Sequence, residues 1–322
     1  MNEILNTQGQ QSRLARVLAA GEFAVAVEVN PPIGPNPGAV QRQIETLRGC
    51  ADVYNVTDNQ SARVHTSSLA VCVMLQQAGL EPVLQVTCRD RNRLAIQSDL
   101  LGAAAFGIRN VLALTGDHVS AGDHPGARPV YDLDSITLLQ LIQTMRDQQL
   151  FASGRKIPRR APDFFIGAVA NPFAPPYDFR PLRLAKKIVA GAQFIQTQLI
   201  YDLPRFREYM ARVVDLGLHE QVAIMAGVGP IRSLRAATFM RDQVAGLTVP
   251  EAIITRLERL SKEDQARAGL DLCCEISQEV SKIEGVRGLH IMAVGWPAAV
   301  PQIVARLGLS PRPSLAIGVP AV

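Results

Sequence analysis

The amino-acid sequence predicts an α/β chain folded as a (βα)8 barrel (a TIM barrel), with extra helices near its C-terminus. Three observations carry this. Eight short runs rich in Val, Ile, Leu and Ala recur about 30 residues apart, the spacing of βα units. Amphipathic helical patterns fill the intervals. No run is followed by Gly-x-Gly-x-x-Gly, so the rival open, doubly wound sheet lacks its dinucleotide fingerprint. Residues 1–322 read as one barrel domain, with 1–20 as an N-terminal extension and 309–322 as a C-terminal tail.

Each element follows in order. A short helix at Leu14–Ala20 is expected to cap the barrel floor. The first strand, Phe23–Val29, is apolar except for Glu28 and stops at Pro31-Pro32. Helix Ala39–Arg48 leads to strand Asp52–Thr57, and helix Ser67–Ala78 to strand Pro82–Thr87. Helix Arg93–Ala105 precedes strand Asn110–Thr115, and the long connection Gly116–Leu133 precedes helix Asp134–Gln148. The cationic stretch Gln149–Asp163 falls on the opposite face and reads as solvated. Strand Phe164–Ala170 opens into Asn171–Arg180 and helix Pro181–Ala190. Strand Phe194–Tyr201, helix Leu203–Leu216, strand Val222–Val228 and helix Ser233–Ala245 continue the alternation. Helical stretches Pro250–Leu260 and Gln265–Ile283 precede strand Gly288–Val294, and helix Pro297–Leu307 closes the pattern. Glycine follows several helices, at Gly79 and Gly107 for example, as a left-handed C′ residue would.

Composition narrows the function. The net charge is +4, from 33 Lys and Arg against 29 Asp and Glu, with 5% aromatic residues and no basic cluster. That excludes a nucleic-acid surface and tolerates anionic small molecules. The five cysteines lack Cys-x-x-Cys spacing and the five histidines are scattered, so no metal or iron–sulfur site is expected. Met1–Ser12 is polar and no apolar run approaches a membrane span of roughly 20 residues, so the expected compartment is the cytoplasm, without a membrane contact. Several apolar helix faces suit a homo-oligomer as well as packing on the barrel.

In a barrel the strand C-termini make the active rim. There the chain places Glu28 and Asn30, then Thr57 through Gln60, then Gln85 and Thr87. Thr115, Gly116, Asp117 and His118 follow, then Asn171, Thr197, Gln198, Gly227 and Gly229. This polar rim has few cations and suits a large, mostly neutral heteroaromatic ligand better than a metal. Glu28, an acid on an otherwise apolar strand, reads as a general acid or base, or else as a structural acid paired with an arginine. Asp117 carries the same two readings. Gln85 is a rim ligand or a satisfied core amide. Gly116 at the turn lets a flat ligand approach the backbone. Tyr131 anchors its loop or borders the ligand, and Lys186 and Lys187 in isolation read as surface charges.

Together these residues resemble the methylenetetrahydrofolate reductase family over about Phe23 to Leu307. Val27-Glu28-Val29-Asn30-Pro31-Pro32 is similar to the family's Phe-Glu-Phe-Phe-Pro-Pro, whose glutamate is the general acid. Val56-Thr57 resembles the Val-Thr whose threonine touches the flavin, and Gln85-Val86-Thr87-Cys88 resembles His-Leu-Thr-Cys, with Gln85 in place of histidine. Leu114-Thr115-Gly116-Asp117 resembles Leu-Arg-Gly-Asp, with Thr115 in place of arginine and Asp117 beside flavin and folate. Tyr131 resembles a tyrosine bordering the isoalloxazine. The helix bearing Arg183, Lys186 and Lys187 resembles one that supplies cations to the flavin phosphates, and Asn171 falls at the adenine side. Thr197-Gln198 resembles the family's Thr-Gln, whose glutamine bonds the pterin.

The resemblance implies a flavoprotein that reduces 5,10-methylenetetrahydrofolate to 5-methyltetrahydrofolate by hydride transfer. Glu28 and Asp117 would be catalytic, with Gln198 on the folate. The implied cofactor is FAD, with FMN as alternative; the electron donor is NADH or NADPH, or a partner redox subunit. The chain departs from the family near Gly295-Trp296, which lacks an Asn-Arg pair, and at Leu257, which stands where a phenylalanine stacks. Two rival classes stay open: a flavin-free barrel lyase or aldolase, and a scaffold subunit of a larger redox complex.

Overall fold

The computed structural model describes residues 12–244 and 246–314; the expectations for 1–11, Ala245 and 315–322 lie outside the described residues. Eight parallel strands close into a barrel in sequence order. They are β1 (Ala24–Val29), β2 (Val53–Val56), β3 (Pro82–Thr87), β4 (Asn110–Leu114), β5 (Phe165–Ala170), β6 (Phe194–Leu199), β7 (Ala223–Val228) and β8 (Val286–Ile291). β1 pairs with both β2 and β8, which completes the closure.

Two core layers result. Outward residues such as Val25, Val27, Val56 and Val86 pack under the helices. Inward residues Ala24, Ala26, Val53, Val83, Leu112, Phe165, Phe194 and Met225 fill the lower barrel. Phe165 and Phe194 stack there with ring centroids 5.2 Å apart. Gly167 makes the room, since a Cβ at that position would lie 2.2 Å from the Phe194 ring. With its lower half packed, the barrel is open only at the strand C-termini.

The surrounding helices follow the predicted order. Those that matter below are α1 (Arg13–Ala19), α2 (Pro37–Leu47), α3 (Ser68–Gln77), α4 (Arg93–Ala105), α5 (Ser135–Gln143) and α6 (Phe179–Val189). α2 starts two residues earlier than its apolar pattern suggests, because Asn36 caps it and Pro37 occupies the first turn. The expected helix 134–148 is α5 followed by a π-helical turn, Thr144–Gln148, which ends at left-handed Gln149. Gly79 and Gly107 adopt positive φ, as the helix ends require.

α1 plugs the floor. Leu14, Val17 and Leu18 are buried against the lower barrel layer. Ser12 caps the helix, and the Glu81 carboxylate accepts both contacts from the Arg13 amide, at 2.7 and 2.8 Å. Asp52, 1% exposed, ties both chain ends to this floor. It accepts from the Val25 amide (2.9 Å), from Arg13 Nη2 (3.0 Å) and from Arg312 Nη2 (2.7 Å). Residues 309–314, the start of the expected C-terminal tail, are thus the outer half of a clasp. Arg312 also donates to the Phe23 carbonyl, and Arg13 to the Pro313 carbonyl.

Two strand ends differ from expectation. β6 stops at Leu199, with a register shift against β7 between Gln196 and Leu199. Thr197 Oγ1 there accepts the Gly227 amide at 2.8 Å. At this bulge three consecutive residues, Gln196, Thr197 and Gln198, reach the cleft. β8 starts earlier and ends at Ile291, so Met292 to Val294 belong to the loop.

Candidate active site

A cleft of about 520 Å³ occupies the mouth of the barrel. Residues of β1, β3, β4, β5, β6 and β8, with Thr57 just past β2, reach it, as the C-terminal mouth of a closed parallel barrel allows. Of the residues expected from the sequence, Glu28, Thr57, Gln85, Thr115, Gly116, Asp117, Asn171, Arg183, Lys187 and Gln198 line it.

Glu28 sits on β1 in register with Asn55 of β2. Among the described residues no arginine, lysine or hydrogen-bond donor pairs with its carboxyl. Desolvation therefore acts unopposed and pushes its pKa up to about 7. The structural reading, an acid neutralised by an arginine, is not what the geometry shows. The arginines that follow β3 are committed to carboxylates: Arg89 to Asp90, Arg91 to Asp58 and Asp99. Beside Glu28, Asn55 and Gln196 form a reciprocal amide pair across the barrel, one contact being 3.2 Å. Both amides are buried. They seal the floor of the cleft with no unpaired polar atom between them.

The neutral donors divide into open and committed groups. Gln85 is 7% exposed, and its side-chain amide has no partner among the described residues. Gln198 turns its Oε1 back onto the Leu199 amide at 2.9 Å, which leaves its Nε2 toward the cleft. Thr57 donates to Gln60 Oε1 (2.8 Å), and Thr115 Oγ1 accepts from the Ser135 amide (3.1 Å). Asn171 spends its amide on the Gly246 carbonyl and the Phe173 amide, so it shapes its loop. Gly116 has φ +90°, and a Cβ there would meet Thr87 Cβ at 3.1 Å. Its glycine is thus required by the β3 end behind it, a reason different from close approach by a ligand.

Asp117 is exposed at the rim, and its carboxylate has no partner among the described residues. Its backbone is held firmly. Arg89 Nη1 donates to the Asp117 carbonyl at 3.2 Å, and Tyr131 Oη donates to the same oxygen at 3.1 Å. Tyr131 does not line the cleft; with φ 41° it clasps the loop from outside. Arg89 is 2% exposed and also donates to Asn59 O, so one guanidinium knits together the loops after β2, β3 and β4. Sequence reasoning missed Arg89, because a charge after a strand end looks solvated until the loops close over it.

α6 supplies the cations. Arg180, Arg183 and Lys187 recur at helical spacing and share the cleft-facing side. Lys186, adjacent in sequence, points about 100° away. It is exposed over the Phe179 ring, outside the cleft. Lys187 is 5% exposed and donates to the Val169 carbonyl at 2.6 Å. Burial and the neighbouring Arg183 push its pKa down to about 8. Arg180 reaches the carbonyls of Ala174 and Pro175. Arg180 went unrecognised in the sequence, although its i, i+3, i+7 spacing with Arg183 and Lys187 was the available signal. Three cations on one face, with only the Asp134 carboxylate close enough to act on Arg183 and Lys187 and no ion pair among them, fit a di- or monophosphate.

A model of the family described as methylenetetrahydrofolate reductase matches residues 13–308. The chain belongs to the methylenetetrahydrofolate reductase family. Family relatives are distant. A probable methylenetetrahydrofolate reductase (NADPH) of Caenorhabditis elegans is 24% identical over 307 residues, 92% of this chain and 44% of that protein. The 5,10-methylenetetrahydrofolate reductase of Salmonella typhimurium is 23% identical over 264 residues, 80% of this chain and 79% of that one. The chain thus spans less than half the length of the nematode relative. Among solved structures, an uncharacterized protein from Clostridium thermocellum that binds two copies of 5-methyl-5,6,7,8-tetrahydrofolic acid aligns with TM-score 0.65 and 14% identity. That alignment covers 92% of this chain and 99% of the other, and it establishes the shared barrel fold. Among the described residues no His, Cys, Asp and Glu cluster is arranged to hold a metal ion, and no helix is long and apolar enough to cross a membrane.

Proposed function

We propose that this chain reduces 5,10-methylenetetrahydrofolate to 5-methyltetrahydrofolate with a bound flavin, Glu28 being the general acid. The observation that carries the reading is the Glu28 carboxyl: unpaired among the described residues and desolvated at the floor of the cleft, which pushes its pKa up to about 7. A general acid works best with a pKa near the operating pH. Support comes from the family match and from the tetrahydrofolate named for the Clostridium thermocellum neighbour.

The residues present fit a flavin. Arg180, Arg183 and Lys187 would hold its phosphates, and Thr57, Gln85, Thr115, Gly116 and the Asp117 loop its ring system. The bound flavin supplies the hydride. Each remaining task falls to a side chain. Glu28 gives its proton to the substrate nitrogen that leaves when the five-membered ring opens, and is left as a carboxylate. Asp117, at the rim, would face the cationic carbon–nitrogen centre that results. Gln198 Nε2 orients the pterin. FAD and FMN are the two forms to assay, and NADH, NADPH and a reduced redox partner the donors.

Purified protein is expected to be yellow, to bleach on anaerobic reduction and to regain its colour on addition of methylenetetrahydrofolate. A colourless protein that takes up neither FAD nor FMN would sink the proposal. Charge-assisted hydrogen bonds contribute about 1.5–3 kcal/mol each. Arg183→Ala and Lys187→Met should therefore each weaken flavin binding about 10–100-fold by fluorescence titration, whereas Lys186→Met should leave it unchanged.

A further inference from the structure

His290 is the least explained polar group of the molecule. It lies on β8, lines the cleft and is 4% exposed. Among the described residues neither its Nδ1 nor its Nε2 has a hydrogen-bond partner. Buried polar atoms left unpaired cost about 1–3 kcal/mol each, so two on one ring call for a reason. Burial also drives its pKa down to about 3, so the ring is neutral, with one N–H to donate and one lone pair to accept.

The barrel register says what stands above it. Ala26 of β1 is opposite His290, and side chains two residues apart share a face, so Glu28 occupies the next interior rung on the adjacent strand. On the other side, the β7 partner of His290 is Gly227, which has no side chain to offer the ring a hydrogen bond. The amide beside Glu28 on β2, Asn55, is already locked to Gln196. His290 is thus the one unengaged polar side chain on the strands directly flanking Glu28, among the described residues. Glu28 in turn has an unpartnered carboxyl.

We propose that His290 is a positioning residue for Glu28: its ring N–H donates to one carboxyl oxygen, aiming the O–H on the other oxygen into the cleft. This rests on the general-acid reading above. The proton passes from Glu28 to the departing substrate nitrogen, Glu28 becomes a carboxylate, and His290 stays neutral throughout. The same N–H bonds the carboxylate more strongly than the carboxyl, so the contact tightens as the proton leaves. The two side chains are not bonded in this structure, so the contact requires a side-chain rotation or a bridging water.

The test is infrared spectroscopy of the ligand-free protein at pH 6, with Glu28→Gln as the reference that removes the Glu28 carboxyl band. In His290→Leu that band is expected to move to higher frequency, as a carbonyl that has lost a donor does. In His290→Gln, whose amide can donate, it should return toward the parent position. His290→Leu removes one donated hydrogen bond and one unpaired buried nitrogen, so its melting temperature should change little. Its turnover should fall about 10–100-fold, and the loss should nearly vanish in a Glu28→Gln background because the two residues act as a unit. An unchanged carboxyl band, or losses that simply add, would overturn the pairing. The band reads the pairing without flavin or folate, so a parent chain that proved inactive would refute the reductase reading and leave this result to stand or fall alone.

Discussion

Glu28→Gln is expected to lower turnover about 10²–10⁴-fold while flavin stays bound, the usual range for losing a general acid. Glutamine keeps the shape and the polarity of the site but has no proton to give. The pH dependence follows from the same group. The donating form is the protonated one, so the parent rate should be level below about pH 7 and fall as pH rises through that value. The variant should lose this limb. Normal flavin content with near-normal turnover in Glu28→Gln would remove Glu28 from the mechanism.

The carboxyl also leaves a signature in stability. Its folded pKa of about 7 lies above its ordinary 4.5, so the folded chain binds the proton more tightly than the unfolded chain. Its contribution to stability is complete below about pH 4.5 and is lost as pH rises toward 7. The full difference is on the order of 3 kcal/mol. Glu28→Gln should therefore be slower as an enzyme yet melt higher than the parent at pH 8, a combination that a purely structural acid would not give.

Asp52→Ala should have the largest effect on stability alone. It strips the counter-charge from Arg312 and Arg13 and leaves the Val25 amide unpaired, all at the barrel floor. Breaking a buried ion pair from one side costs roughly 3–5 kcal/mol. At about 2–4 °C per kcal/mol for a large domain, the melting temperature should fall by roughly 10 °C. Asp52→Asn, which can still accept from Val25, should lose less. An Asp52→Ala melting curve superimposable on the parent would show that the clasp between the two chain ends is incidental. The cleft lies at the opposite end of the strands, so the folded fraction of either variant should keep its flavin affinity.

The architecture was legible because a parallel barrel repeats two simple periods. Apolar strands buried on both faces alternate with amphipathic helices, and each element announces itself locally. Glu28, Gln85, Asp117 and Gln198 were legible for the same reason: they end strands, and strand ends share a rim. Lys186 and Lys187 were harder to separate. Their helix was expected from Pro181, and only its packing against β5 shows which of two adjacent lysines turns inward. His290 was missed although alternation places it inside the barrel, in the same row as Gly288 and Met292. Arg89 gave no local signal at all, since its four acceptors come from three separate loops.

The sequence determines that an acid stands on an apolar strand at a barrel mouth, since residue order and periodicity are local properties. It does not determine that acid's charge. Burial raises the Glu28 pKa to about 7 because, among the described residues, no cation pairs with it and its β2 neighbour Asn55 is held by Gln196 from across the barrel. Electrostatic energy depends on distance through space and on exclusion of water, and both are set only when strands far apart in the chain close into one ring.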